Sequence, residues 1–226
     1  MTIHPRQFDK ELGDLKSKLL MMAAAAAKMT DQVITALVER DESIAKDVPN
    51  DEQDVNRMQL EIDEIVLALL ATYQPVASDL RFLMACTRIT GELERIGDLA
   101  INISQNTRTL LQHPPVKPLI DIPKMASTAR DMLDKAMQAL VKSDPLLAQT
   151  VIMMDDIVDR LCDQVKDHLL TIMKQNSDTI VERALALILI ARHLERIADH
   201  ATNIAEDVIY MCQGKDVRHP GISRER

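Results

Sequence analysis

Tryptophan is absent from this 226-residue chain, and phenylalanine and tyrosine occur only twice each, as Phe8, Phe82, Tyr73 and Tyr210. Glycine occurs five times. Strands draw on aromatic and β-branched residues, and their turns on Gly, Asn and Pro. The composition therefore argues against an all-β fold. So few glycines also argue against a doubly wound α/β fold with phosphate-cradling loops. No P-loop, nucleophile elbow or dinucleotide fingerprint occurs, and no enzyme activity is expected. The three cysteines, Cys86, Cys162 and Cys212, are isolated, which indicates neither a zinc site nor a disulfide framework. The longest apolar runs, residues 19–27 and 184–191, have nine and eight residues. Roughly 20 are needed to cross a bilayer, so any membrane association is expected to be peripheral. The N-terminal MTIHPRQFDK has no apolar secretory core. Basic residues are outnumbered, 27 Lys and Arg against 35 Asp and Glu, for a net charge of −8. That weighs against nucleic-acid binding, which needs a basic face. It fits a cytosolic protein, or one that attracts cations.

What remains is rich in Ala, Leu, Met and charged residues, and its apolar positions recur in steps of three and four. Phe8, Leu12, Leu15, Leu19, Met22, Ala26, Met29, Val33 and Ala36 form a heptad seam on one long helix. Pro49, in a polar stretch, is expected to break the chain. Val55, Met58, Ile62, Ile65 and Leu69 mark a second helix. A turn at residues 73–79 follows, with Ser78 or Asp79 as N-cap. The third helix carries Phe82, Cys86, Ile89, Leu93, Ile96, Ala100, Ile103, Thr107 and Leu110. Pro114, Pro115, Pro118 and Pro123 then crowd into a linker. Met125 to Leu140 mark a fourth helix. Asp144-Pro145 is a start signal for the fifth, and Thr179-x-x-Glu182 resembles a capping box for the sixth. Gly214 reads as its C-cap. The expected fold is all-α: two tandem three-helix bundles, residues 1–112 and 124–213, joined by a proline-rich linker, 113–123, with a loose tail, 214–226.

The halves also match in sequence. A shift of 101 residues lays residues 93–104 (LERIGDLAINIS) on 194–205 (LERIADHATNIA), with eight of twelve positions identical. Packing accounts for the repeated Leu, Ile and Ala. It does not account for Glu94, Asp98 and Asn102, or for Glu195, Asp199 and Asn203. At ~100° per residue, Glu94 lies roughly 130° and Asp98 roughly 170° from the seam, on a polar face. Paired carboxylates one turn apart repel by a few tenths of a kcal/mol. A hard cation between them reverses the sign, because Mg²⁺, Mn²⁺ and Fe³⁺ prefer carboxylate oxygens. Helix five supplies a second pair, Asp155 and Asp159, and helix two a weaker one, Glu52 and Asn56. The alternative is a solvated acidic surface neutralised by Arg95 and Arg196. His193 and His200 flank the second pair, but their counterparts are Glu92 and Leu99. Neither belongs to the repeated design, and both read as surface histidines. His193 also offers a second reading, an exposed phosphotransfer acceptor on a helical bundle.

Two three-helix halves, Gln74-Pro75-Val76-Ala77-Ser78-Asp79-Leu80-Arg81 ahead of the third helix, and Leu-Glu-Arg-Ile-(Gly/Ala)-Asp in both halves resemble the PhoU family over nearly the whole chain. The resemblance implies a cytoplasmic regulator of the phosphate-specific transport system that shuts down phosphate-starvation signalling. It implies contact with a phosphate-sensing membrane histidine kinase and with the ATPase subunit of the phosphate ABC transporter. It also implies a homodimer, and metal ions on Glu/Asp-x-x-x-Asp motifs. Here those motifs fall on Glu94/Asp98, Glu195/Asp199 and Asp155/Asp159, and degrade to Glu52/Asn56 on helix two, which implies a weaker first site. Metal identity (Mg, Mn or Fe) is left open by oxygen-only donors.

Overall fold

The computed structural model describes residues 5–116, 121–175 and 180–218. It contains six long helices: α1 (Pro5–Glu39), α2 (Val48–Tyr73), α3 (Ala77–Leu111), α4 (Asp121–Lys142), α5 (Pro145–Gln175) and α6 (Val181–Gln213). No strand occurs among the described residues. α1, α2 and α3 pack mutually, as do α4, α5 and α6. The fold class is all-α, as the heptad spacing and sparse aromatics imply.

The heptad residues make the core. Leu15, Leu19, Met22, Met29 and Val33 of α1 are fully buried, as are Ile89, Leu93, Ile96 and Ile103 of α3 and Leu194 and Ile204 of α6. Met125 and Met132 fill the second half in the same way. The halves are nevertheless not beads on a string. α3 lies along α6, their most extensive contact joins the two halves, and α1 also touches α4. Arg81 donates to the carbonyl of Met211, and Arg88 to Asp207. Residue number rises on α3 as it falls on α6, so the seam is antiparallel. Buried residues of both halves form one continuous core.

Several helix ends differ from the sequence expectation. Pro49 does not break a helix but sits in the first turn of α2, where its missing N–H leaves no bond unmade. The break comes earlier, at Arg40 with φ 58°. A short 3-10 helix, Glu42–Ala45, follows, capped by Asp41, which accepts from the Ser43 N–H at 2.9 Å. α3 is preceded by extended Val76, so Ser78 and Asp79 lie in its first turn and not at the cap. Likewise α4 starts at Asp121, with Pro123 in its first turn. Asp144 does cap α5, accepting from the backbone N–H groups of Leu146 and Leu147, both at 3.0 Å. Gly214 closes α6 in the left-handed region at φ 67°. Thr179 of the expected capping box lies outside the described residues.

Gly97 stands where the second half has fully buried Ala198. A Cβ at Gly97 would touch Val55 Cγ1 at 3.6 Å and Met29 Cε at 3.8 Å, ordinary van der Waals distances. Gly97→Ala is therefore expected to stabilise the protein by about 0.5–1 kcal/mol, by reducing unfolded-chain entropy at no steric cost. A thermal melt checks this; a fall in Tm would mean that the α1–α2–α3 packing cannot accept a methyl group.

Candidate functional site

Glu94 and Asp98 of α3 face α2, and Glu195 and Asp199 of α6 face α5. α3 and α6 are each flanked by three helices, so the two glutamates are partly covered while Asp199 stays exposed. The Glu195 side chain is only 16% exposed and that of Glu94 21%, against 38% for Asp98. The equal spacing of the two pairs places each beside the neighbouring helix of its own half.

In the second half the four acids are near enough to act on one another's charge. Burial pushes the Asp155 carboxyl up to about 6, and the charges of Asp159 and then Asp199 add to the effect. Partial desolvation against the neighbouring helix also raises Asp159, with Glu195 and Asp199 contributing, and raises Asp199, with Glu195 contributing. One Asp155 carboxylate oxygen, Oδ1, is buried without a hydrogen-bond partner. An unpartnered carboxylate oxygen among like charges is an environment that a cation would relieve. The charges of Arg192 and Arg196 both favour the ionised Asp199. Arg192 donates to both Glu195 oxygens, at 2.6 and 2.5 Å. The Cys162 thiol sits 3.4 Å from Glu195 Oε2, and burial pushes it up to about 12, with Glu195 adding. Both effects favour the neutral thiol over the thiolate.

The first half is a weaker copy. Burial raises Glu94, and Asp98 and Glu52 add to it. Asn56 donates to Glu52 at 2.5 Å, so the amide ties up one of the few carboxylates present. Arg95 pairs with Asp98 at 3.1 Å and with Glu94 at 3.5 Å. A groove of about 560 Å³ opens beside this cluster, lined by Glu52, Asp98, Asn102 and Arg108 among others. Among the described residues no three His, Cys, Asp or Glu side chains converge on one point as ligands. The carboxylates are neighbours, and arginines occupy three of them: Arg95 pairs with Glu94 and Asp98, and Arg192 with Glu195.

The histidines differ from the sequence reading. His200 is not a surface residue: its side chain is 15% exposed, and Nδ1 lies 2.7 Å from Glu92 Oε2 across the seam. Asn203 donates to the same Glu92 oxygen at 3.0 Å. Burial pushes Glu92 up, but the bonds from His200 and Asn203 outweigh it and leave the carboxyl below its ordinary range. His193 is half-buried, and its Nδ1 is buried without a partner. Burial, then Arg196, lower its proton affinity. Nothing in the repeat announced the cross-seam bonds. Glu92, His200 and Asp207 correspond across the 101-residue shift to His193, Leu99 and Asn106, so each sits where the duplication is broken.

A duplicated six-helix fold, with acidic side chains repeated in each half and no described helix able to cross a membrane, defines an all-helical protein built from two copies of one domain. The PhoU domain profile matches the chain twice, at residues 19–107 and 122–208, and the chain belongs to the PhoU family. It is 36% identical over 220 residues to the phosphate-specific transport system accessory protein PhoU homolog of Pseudomonas putida, covering 97% of this chain and 86% of that one. To the Escherichia coli phosphate-specific transport system accessory protein PhoU it is 32% identical over 217 residues, covering 95% and 89%. The crystal structure of PhoU from Pseudomonas aeruginosa superposes with a TM-score of 0.87 at 33% identity, over 92% of this chain and 100% of that one. These relatives are named for accessory roles in phosphate transport and not for an enzyme activity.

Proposed function

We propose that this chain is a cytoplasmic, non-enzymatic adaptor that restrains phosphate uptake and phosphate-starvation signalling. It links the ATPase subunit of the phosphate ABC transporter to a phosphate-sensing membrane histidine kinase. The observation that carries the reading is the end-to-end likeness to accessory proteins of phosphate-specific transport, across both copies of the domain. With no apolar span among the described residues, it meets those partners at the membrane surface through protein contacts. It acts as a homodimer and binds no nucleic acid, in keeping with its net charge of −8.

In this reading the acidic faces hold hard cations. Asp155, Asp159, Glu195 and Asp199 take the stronger site, and Glu94, Asp98, Glu52 and Asn56 the weaker. Mg²⁺, Mn²⁺ or Fe³⁺ would draw the carboxylates inward from Arg192 and Arg95 and neutralise their mutual repulsion. The rival reading, phosphotransfer through His193, is disfavoured because one ring nitrogen is already buried.

The experiment is co-purification of the tagged chain from its own cells at high and at low phosphate. The expected result is recovery of transporter ATPase and sensor kinase together, more of both at high phosphate. Recovery of neither under either condition contradicts the proposal.

A further inference from the structure

Where the two halves meet, one carboxylate is almost entirely withdrawn from water. Asp207 of α6 is 3% exposed. A buried carboxylate is stable only when paired, and two guanidiniums from different elements supply the pairing. Arg88 reaches from α3 across the seam at 3.0 Å, its guanidinium 5.3 Å from the centre of the Tyr210 ring. Arg218 comes from beyond the end of α6 and lies 3.8 Å away. Residues 215–218, in the segment expected to be a tail, make contacts back along α6. Gly214 reverses the chain in the left-handed region, and Val217 packs against the core. Arg218 then stands level with Asp207, nearly two helical turns back. Its own position is held locally. Asp216 Oδ1 accepts from the Arg218 backbone N–H at 3.1 Å and from Nε at 2.9 Å, and Oδ2 accepts from Nη2 at 2.5 Å. Under this segment lies a polar cavity of about 430 Å³, lined by Arg88, Glu92, Asn203, Glu206, Asp207 and Arg218.

We propose that residues 214–218 form a strap that holds the polar end of the α3/α6 seam closed. Its release loosens the contact between the halves without unfolding either. Three observations meet here. The carboxylate is buried and shared between α3, α6 and the strap. The strap is pre-ordered by Asp216, so little further entropy is lost in closing it. The cavity beneath is polar, so water can enter once Arg218 leaves, and solvated Asp207 then grips Arg88 less tightly. The opposite end of the seam has no counterpart, since Arg88 and Asp207 correspond to Leu189 and Asn106. The device is thus confined to one end, and any partner that captures the C-terminal segment would act on the relative placement of the two halves.

The test is hydrogen exchange read by mass spectrometry on the full chain, comparing wild type with Arg218→Gln, Arg218→Lys, Asp207→Asn and the Arg218→Gln/Asp207→Asn pair. With Arg218→Gln, exchange within residues 81–92 and 203–213 is expected to rise about three- to tenfold, as for a local opening, while α1, α2, α4 and α5 are unchanged. Arg218→Lys restores most of the protection by returning the charge. Once Asp207→Asn has removed the strap's anchor, Arg218→Gln adds nothing, as coupled partners require. Unchanged exchange at the seam in Arg218→Gln overturns the proposal. So does a rise spread evenly over all six helices, or full additivity of the two substitutions.

Discussion

Replacing Asp155 by asparagine is expected to stabilise the cation-free protein at pH 7.5 by about 1–3 kcal/mol, a rise of several degrees in Tm. In the folded chain the Asp155 carboxyl titrates near 6, above its ordinary value of 3.8. Between those two values the folded state binds more protons than the unfolded state. Stability then falls as pH rises, because the slope follows the difference in bound protons, unfolded minus folded. The penalty is complete above the folded value, where Asp155 is charged in both states but desolvated and repelled in one. Below the unfolded value both states are protonated and the penalty vanishes. The gap between Asp155→Asn and wild type should therefore be near zero at about pH 3.5 and widen through about pH 4–7. Chemical denaturation at a series of pH values measures it. A variant less stable than wild type at neutral pH, or a gap that does not change with pH, would mean that Asp155 is not held in the repelled environment described.

The largest loss is expected in the core. Leu93 is fully buried at the start of the repeated LERI segment, and truncation to alanine should remove about 2–5 kcal/mol, transfer and cavity contributions together. The more telling feature is the shape of the transition. Both halves contribute to one core through the α3/α6 seam, so Leu93→Ala should move a single unfolding curve to lower denaturant with its slope unchanged. Leu194→Ala, in the second half, should do the same. Two separate transitions, one of them unmoved, would show that the halves fold independently and that the seam is only an interface.

The sequence carried the helices well because their signal is long and periodic. Nine seam residues in steps of three and four leave little room for another reading of α1. The ends were harder. Pro49 and Pro123 look like interruptions in the sequence, yet proline is as comfortable in a first turn as in a loop, and only the register of the neighbouring apolar residues distinguishes the two. The acids Glu94, Asp98, Glu195 and Asp199 stood out through duplication, which exposes what packing does not require. The same logic concealed the rest. Asp207, His200 and Arg88 do their work at the seam between the halves, at positions where the two copies carry different residues. A comparison of the copies cannot find them. Their neighbours lie more than 100 residues away in sequence, and only the antiparallel placement of α3 on α6 brings them together. Angular position on an isolated helix carried part of the placement. It put Glu94 and Asp98 outward, and Asp98 does keep 38% of its side chain exposed, whereas Glu94, at 21%, is partly covered.

The proposed cation sites of unequal strength are tested most directly by a set of thermal melts with and without Mg²⁺, Mn²⁺ or Fe³⁺. At about 100 times its dissociation constant, a cation should stabilise the wild type by ~2.7 kcal/mol. Glu195→Gln with Asp199→Asn should abolish the second-half response while leaving helix content unchanged. Glu94→Gln with Asp98→Asn should lose less, because Asn56 has already replaced a carboxylate and Arg95 already pairs with both acids. A wild type that shows no cation-dependent shift, or a first-half variant that loses as much as the second, would contradict the account and leave both clusters as solvated surface.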